Sequence, residues 1–185
     1  MRNITSQLNK TKNIFRIIEI ASVLVVSISM IMYGVGKIVQ FPMTTDITKK
    51  VSDLTGQELM WTFYGYSKSF PIILGILEII GGILLLFSKT RLLATILLTT
   101  IIVNVILQDI IYNVNNGALI AAIIYQILII FILIINKKRV LLILKLFTKT
   151  NNERQEESFK SKLLTALCVG TVFILIKGIE YVLTH

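Results

Sequence analysis

Long apolar runs separated by short polar segments dominate this sequence. Four runs reach the length of about 18 residues or more that a helix needs to cross the roughly 30 Å hydrocarbon core of a bilayer. Counting a few polar interruptions, they cover residues 15–39, 70–87, 92–112 and 118–135. The pattern therefore predicts four membrane-spanning helices.

A fifth run, 163–183, is less uniform, because its continuous apolar part ends at Ile176 and is followed by Lys177 and Glu180. We interpret it as a fifth span. Transmembrane barrels alternate apolar and polar residues with a period of two, and stretches such as IIVNVIL show no such alternation. The predicted fold class is an all-α integral membrane helical bundle, with a four-helix core and a fifth transmembrane helix.

The composition is that of a membrane protein and not of a soluble domain. Hydrophobic residues make up 55% of the chain and charged residues 16%, and the mean hydropathy is +0.80. Four all-apolar helices would leave too little polar surface for a soluble protein of 185 residues. We therefore expect the lipid bilayer to be the partner of most of the surface.

Lys and Arg residues are unevenly distributed among the polar segments. Basic residues in short loops stay on the cytoplasmic side of a membrane, and a cytoplasmic N-terminus puts 14 of the 19 inside. With five spans in the cytoplasmic membrane, the C-terminus then lies outside. The predicted segments are a cytoplasmic leader at 1–13, a four-helix domain at 14–136 with an outer loop at 42–69, a basic interfacial segment and linker at 137–162, and the fifth span at 163–185.

Several kinds of chemistry lack the residues that they need. Cys168 is the only cysteine and His185 the only histidine, which excludes a disulfide within the chain, a haem held by paired histidines and an ordinary zinc site. We expect no metal, and no cofactor is evident from a motif. The net charge of +9 does not indicate nucleic acid binding, because the basic clusters flank the spans, where anionic lipid accounts for them.

Three polar side chains inside the predicted spans lie at a similar depth. Glu78, Asn104 and Gln126 are each eight residues from the outer end of their span, hence about 12 Å deep at about 1.5 Å per residue. Ionisable groups in a bilayer usually face the bundle interior. We therefore predict that a protonated Glu78 hydrogen-bonds to Asn104 or Gln126, either as a structural cluster or as a proton-handling site.

Other polar and small residues predict contacts between the spans. Gly75 and Gly82 share a helix face with Glu78, so a neighbouring helix can approach closely on either side of the carboxyl. Lys37 and Asp109 lie near the outer ends of their spans and predict an ion pair. Near the inner boundary, we expect Glu19 to pair with Arg16 or Lys89.

The outer loop combines an amphipathic pattern with a cluster of aromatic residues. Apolar residues recur at helical spacing within 47–54 and predict a short amphipathic helix. Trp61, Tyr64 and Tyr66 follow just before the second span, where amphipathic rings prefer to sit. They form either a belt at the membrane interface or a lid over a pocket.

Three short motifs together resemble those of the DoxX-like family of small membrane proteins. They are YGVGK at the end of the first span, MWTFYGYS in the outer loop and GILE in the second span. The resemblance covers 14–136 and implies a four-helix bundle, so the predicted fifth span goes beyond the usual family pattern. The family positions carried over are Gly36 as a packing glycine, Lys37, Gly75 and Glu78, with Asn104 and Asp109 from the stretch LLTTIIVNVILQDIIYNV.

The resemblance implies more than one function. We first expect a non-catalytic scaffold or assembly protein, which would bind another membrane protein or a second copy of itself. The alternative is a membrane subunit of a quinone- or thiosulfate-linked oxidoreductase, with quinone as a possible ligand and Glu78 handling protons. A small-solute permease is a weaker third hypothesis, because five spans offer no obvious paired halves.

The charge distribution yields a direct test of topology. We predict that alkaline phosphatase fused after His185 is active, because it would lie outside, and that a cytoplasmic reporter at the same position is inactive. A fusion within the linker at 151–158, which is predicted to lie inside, serves as the control. The reverse pattern at His185 would contradict the fifth span.

Overall fold

The computed structural model of the chain describes residues 2–41, 49–148 and 159–184, with side chains from residue 13 onward. In these residues it contains seven α-helices, one short 3-10 helix at Val51–Asp53 and no strand. The α-helices are α1 (Arg2–Gln40), α2 (Gly56–Tyr66), α3 (Ser69–Leu86), α4 (Arg91–Tyr112), α5 (Asn116–Ile135), α6 (Lys137–Thr148) and α7 (Phe159–Thr184). The predicted all-α membrane bundle is confirmed.

Within the described ranges, five helices are long and apolar enough to cross a membrane, as the sequence predicts. They are Asn13–Gln40 within α1, α3, α4, α5 and α7. The segment predicted as a leader at 1–13 continues α1 in helical form from Arg2. Contacts divide the chain into two compact units, Met1–Ile143 and Leu144–His185. The four-helix bundle lies within the first unit, and α7 belongs to the second.

Four helices of the first unit pack in a ring. α1 packs against α3 and α5, and α4 packs against the same two helices from the other side. Fully buried side chains from all four fill the centre, among them Val26, Leu85, Leu98, Ile129 and Ile132. Because lipid tails are as apolar as these side chains, close packing and polar contacts must hold the ring together.

Two glycines bring the backbones of α1 and α3 into close contact. A Cβ atom added to Gly34 would lie 2.5 Å from the carbonyl oxygen of Gly75, and one added to Gly75 would lie 2.5 Å from that of Gly34. About two turns further along α3, a Cβ on Gly82 would lie 2.9 Å from the carbonyl oxygen of Ser27. Small residues at these positions let the two backbones touch.

Gly36 does not take part in this contact, so the expectation from the family resemblance is wrong at that position. A Cβ atom built on Gly36 meets no atom of the described residues within 4 Å. Residues two apart on a helix do not share a face. Because Gly34 faces α3, Gly36 points away from it.

The helix of the outer loop begins later than the apolar spacing predicts. Residues 51–53 form only a 3-10 turn, and Ile47 lies outside the described residues. α2 begins after Thr55, whose hydroxyl accepts a hydrogen bond from the Glu58 amide while the Glu58 carboxylate accepts from the Thr55 amide. This capping box fixes the start of α2.

At the bundle end that carries α6, a polar cluster ties four elements together. Arg91 donates to the Glu19 carboxylate at 2.9 Å, and the Asn136 amide donates to the same oxygen at 2.8 Å. Arg139 donates to the carbonyl oxygen of Ser88 at 2.7 Å. The prediction that Glu19 pairs with Arg16 or Lys89 is therefore wrong, because the first residue of α4 reaches it instead.

We predict that Gly75→Ala destabilises the protein by about 1–3 kcal/mol, because its new methyl group would push α1 and α3 apart. Gly36→Ala is the matched control, and the higher helix propensity of Ala should leave stability equal or raised by up to about 1 kcal/mol. Thermal unfolding in detergent measures both. Equal losses in the two variants would contradict the glycine contact.

Candidate functional site

A buried ion pair joins α1 to α3. Lys37 Nζ lies 3.2 Å from Glu78 Oε1, and the two side chains are only 12% and 4% exposed. Each charged residue lies three positions after a contact glycine, in the stretches Gly34–Lys37 and Gly75–Glu78. Residues three apart share a helix face. The backbone contact that the glycines allow therefore also brings the two charges together.

Lys37 reaches Glu78 by extending its side chain along α3. The Cβ that Gly75 lacks would lie 3.3 Å from Lys37 Cβ, so the glycine leaves room for the lysine stem. With each side chain placed at the depth of its backbone, the sequence predicts that Glu78 meets Asn104 or Gln126. That was wrong, because a lysine carries its ammonium several carbon atoms away from its Cα.

The amides that were predicted to meet Glu78 bond elsewhere. Gln108 Nε2 donates to Asn104 Oδ1 at 2.6 Å, one turn away on α4. Gln126 Nε2 lies 3.5 Å from Thr99 Oγ1. The predicted Glu78–Asn104–Gln126 cluster is therefore wrong, since equal depth does not make three helices turn these side chains toward each other.

Asp109 lies near the ion pair without joining it. No Lys37–Asp109 contact falls within the 4.0 Å of an ion pair, so that predicted pair is also wrong. Asp109 is nevertheless only 9% exposed. Its Oδ2 accepts no hydrogen bond from any residue that the structure describes.

These charged groups line one cavity, which we call the α2-end cavity. Its volume is about 340 Å³, within the range of small-molecule sites. Lys37, Glu78 and Asp109 all contribute to its wall, with residues from α1 to α5. Five aromatic residues also line it: Tyr33, Phe41, Trp61, Tyr64 and Tyr125. The cavity therefore combines ring surfaces with a polar wall.

α2 covers part of this cavity with the aromatic residues noted in the sequence. Phe41 stacks on Tyr64, with ring centroids 4.7 Å apart, and packs edge-on against Trp61 at 5.4 Å. Trp61 and Tyr64 line the cavity, whereas Tyr66 is 88% exposed. Two of the three predicted residues thus lie where a lid would, and Tyr66 does not.

Tyr64 fastens α2 to the bundle. Its hydroxyl donates to Gln108 Oε1 at 2.8 Å, and Gln108 in turn donates to Asn104. Burial raises the pKa of the Tyr64 phenol, so the hydroxyl keeps its proton at neutral pH. One sequence signal points to this series of hydrogen bonds: Asn104 and Gln108 are four residues apart on one helix face.

The comparisons with known proteins add no identification. No family model, no curated protein and no solved structure matches this chain. In the parts of the chain that the structure describes, no group of three His, Cys, Asp or Glu side chains is placed to bind a metal ion. The site is therefore interpreted from its own geometry, which can hold a small organic molecule against aromatic rings and a buried ion pair.

We predict that Lys37→Met destabilises the protein by about 3 kcal/mol, because it leaves the Glu78 carboxylate buried without its cation. A second change, Glu78→Leu, should recover most of that loss. Lys49→Met is the control: it removes an exposed pair with Glu58 (2.6 Å; side chains 56% and 40% exposed) and should cost under about 1 kcal/mol. Thermal unfolding in detergent measures the stability of each variant. A double variant that is less stable than either single variant would contradict the interaction between Lys37 and Glu78.

Proposed function

We propose that this protein is a multi-pass protein of the cytoplasmic membrane that binds a small molecule in the α2-end cavity. The observation that carries the proposal is the cavity itself, in which a buried Lys37–Glu78 pair faces aromatic rings. A cavity inside a bundle lowers its stability. A chain that served only as a scaffold would gain by filling this space with larger side chains.

A quinone is the ligand class that we propose first. A planar ring can stack against the aromatic walls, and a ring carbonyl can accept a hydrogen bond from the Lys37 ammonium. Glu78, paired with Lys37 at 3.2 Å, would then exchange protons with the bound ring. This chemistry and the resemblance to the DoxX-like family both support a membrane subunit of a quinone-linked oxidoreductase.

Thiosulfate is a less favourable occupant of this cavity. It carries two negative charges, whereas the charged residues of the wall are one lysine and two carboxylates, Glu78 and Asp109. Bringing a dianion beside two buried carboxylates costs electrostatic energy in a low-dielectric site. The cavity chemistry therefore favours the quinone side of the oxidoreductase hypothesis.

Topology supports entry of the ligand from outside the cytoplasm. The positive-inside rule assigns the bundle end with Arg91, Lys137 and Arg139 to the cytoplasm. The α2-end cavity then opens on the opposite side of the membrane. We propose this orientation together with the function, since a periplasmic or extracellular ligand would reach α2 first.

The test uses Trp61, the only tryptophan in the chain, which lines the cavity. A short-chain ubiquinone analogue added to purified protein in lipid nanodiscs should quench its fluorescence saturably. Ala118→Phe, which fills the cavity from α5, should weaken binding at least tenfold. Ala121→Phe, outside the cavity wall on the same helix, should change it less than twofold.

Quenching that rises linearly in all three proteins would show only partitioning of the quinone into lipid, and it would overturn the proposed site. Thermal unfolding of each variant in the same nanodiscs shows that a loss of binding does not come from a loss of fold. If no saturable binding occurs and one membrane protein is recovered specifically with the tagged chain, the scaffold function is the better explanation.

A further inference from the structure

Two residues of the α2-end cavity wall, Glu78 and Asp109, each have a carboxylate oxygen without a donor among the described residues. Glu78 Oε2 and Asp109 Oδ2 are both buried, and neither accepts a hydrogen bond from the described part of the chain. The residues themselves are 3% and 9% exposed, and both line the cavity. A buried acceptor without a donor is costly. A cavity occupant that donates hydrogen bonds would remove this cost.

Nearby donors are already engaged. The Tyr64 hydroxyl donates to Gln108, and the Gln108 amide donates to Asn104. Lys37 lies against the other oxygen of Glu78. None of these contacts reaches Glu78 Oε2 or Asp109 Oδ2, so a ligand that brings its own donor would satisfy them.

The charges and the rings of the wall agree with this requirement. Two carboxylates and one ammonium line the cavity, so its charged groups favour a donor that is neutral or positive. Aromatic faces attract cations and stack on other rings. Trp61 and Tyr64 provide such faces on α2, and Tyr33 and Tyr125 provide them on α1 and α5.

We propose that the α2-end cavity selects an apolar ring that carries a hydrogen-bond donor, a hydroxyl or a protonated amine, over a ring of the same size that carries only acceptors. The proposal rests on the proposed function in one respect, that the cavity is a small-molecule site. For a quinone couple it means that the reduced, hydroxyl-bearing form binds more tightly than the oxidised form.

Asp109 is the residue that sets this preference. The charge of Glu78 is balanced by its ion pair with Lys37, whereas Asp109 makes no ion pair among the described residues. Asp109→Asn keeps the shape of the side chain, but its amide brings donors of its own and removes the negative charge. The variant should therefore weaken the binding of donor ligands and leave that of acceptor ligands unchanged or stronger.

The experiment compares three probes with one ring system: 1-naphthol, 1-naphthylmethylamine and 1-methoxynaphthalene. Isothermal titration calorimetry measures each with the protein in nanodiscs, and empty nanodiscs give the partitioning background. We expect at least one of the two donor probes to bind at least tenfold more tightly than the methyl ether. Tightest binding of the amine identifies an organic cation as the ligand class, and tightest binding of the naphthol identifies a neutral hydroxyl.

Asp109→Asn should reduce the preference for donors to threefold or less, with thermal unfolding as the check on folding. Asp53→Asn, which changes an exposed carboxylate outside the cavity, should leave the preference unchanged. Methyl ether binding as tight as that of both donor probes, or a preference that survives Asp109→Asn, overturns the proposal.

Failure of this proposal can be told apart from failure of the proposed function. If the naphthol and the methyl ether bind equally and Ala118→Phe abolishes both, the cavity is a ligand site and only the donor preference is wrong. If none of the three probes binds above the empty-nanodisc background, and the quinone analogue does not bind either, both proposals are overturned.

Discussion

The bundle depends on the place where the α1 and α3 backbones touch. Gly34 and Gly75 remove the side chains that would separate the helices, and the next turn of each helix carries one member of the Lys37–Glu78 pair. A buried charge without its partner is expensive in a membrane. Close approach therefore makes the ion pair possible, and the ion pair in turn makes any separation of the helices costly.

The α2-end cavity follows from the same arrangement. Lys37, Glu78 and Asp109 share a wall, and Glu78 and Asp109 each keep a buried carboxylate oxygen without a donor among the described residues. At the α6 end, by contrast, Glu19 accepts from both Arg91 and Asn136, and such satisfied groups can be enclosed by packing. The two ends of the bundle thus differ in their buried carboxylates. At the α6 end, Glu19 has hydrogen-bond donors from the protein, whereas at the α2 end one oxygen each of Glu78 and Asp109 has none among the described residues.

The sequence predicts the helices well and their side-chain partners poorly. Apolar run length identifies four of the spans, because the bilayer sets the length of each helix, and the fifth comes from a less uniform run with Lys177 and Glu180 near its end. Run length does not give the rotation of a helix about its axis, so Asn104 and Gln126 share the depth of Glu78 without meeting it. Run length also does not show how far a long side chain extends, so the sequence predicts a Lys37–Asp109 pair where the structure has Lys37 beside Glu78. The start of α2 was readable in the capping-box sequence TGQE, a stronger local signal than apolar spacing.

The glycine contact also constrains the path by which a molecule can travel. With two backbones touching at Gly34 and Gly75, the seam between α1 and α3 is closed to lipid tails and to any ring at that level. A ligand of the proposed site would have to enter the cavity through a different helix seam or by displacing α2. The aromatic contacts of Phe41 with Trp61 and Tyr64, together with the Tyr64–Gln108 hydrogen bond, would have to break for the second route.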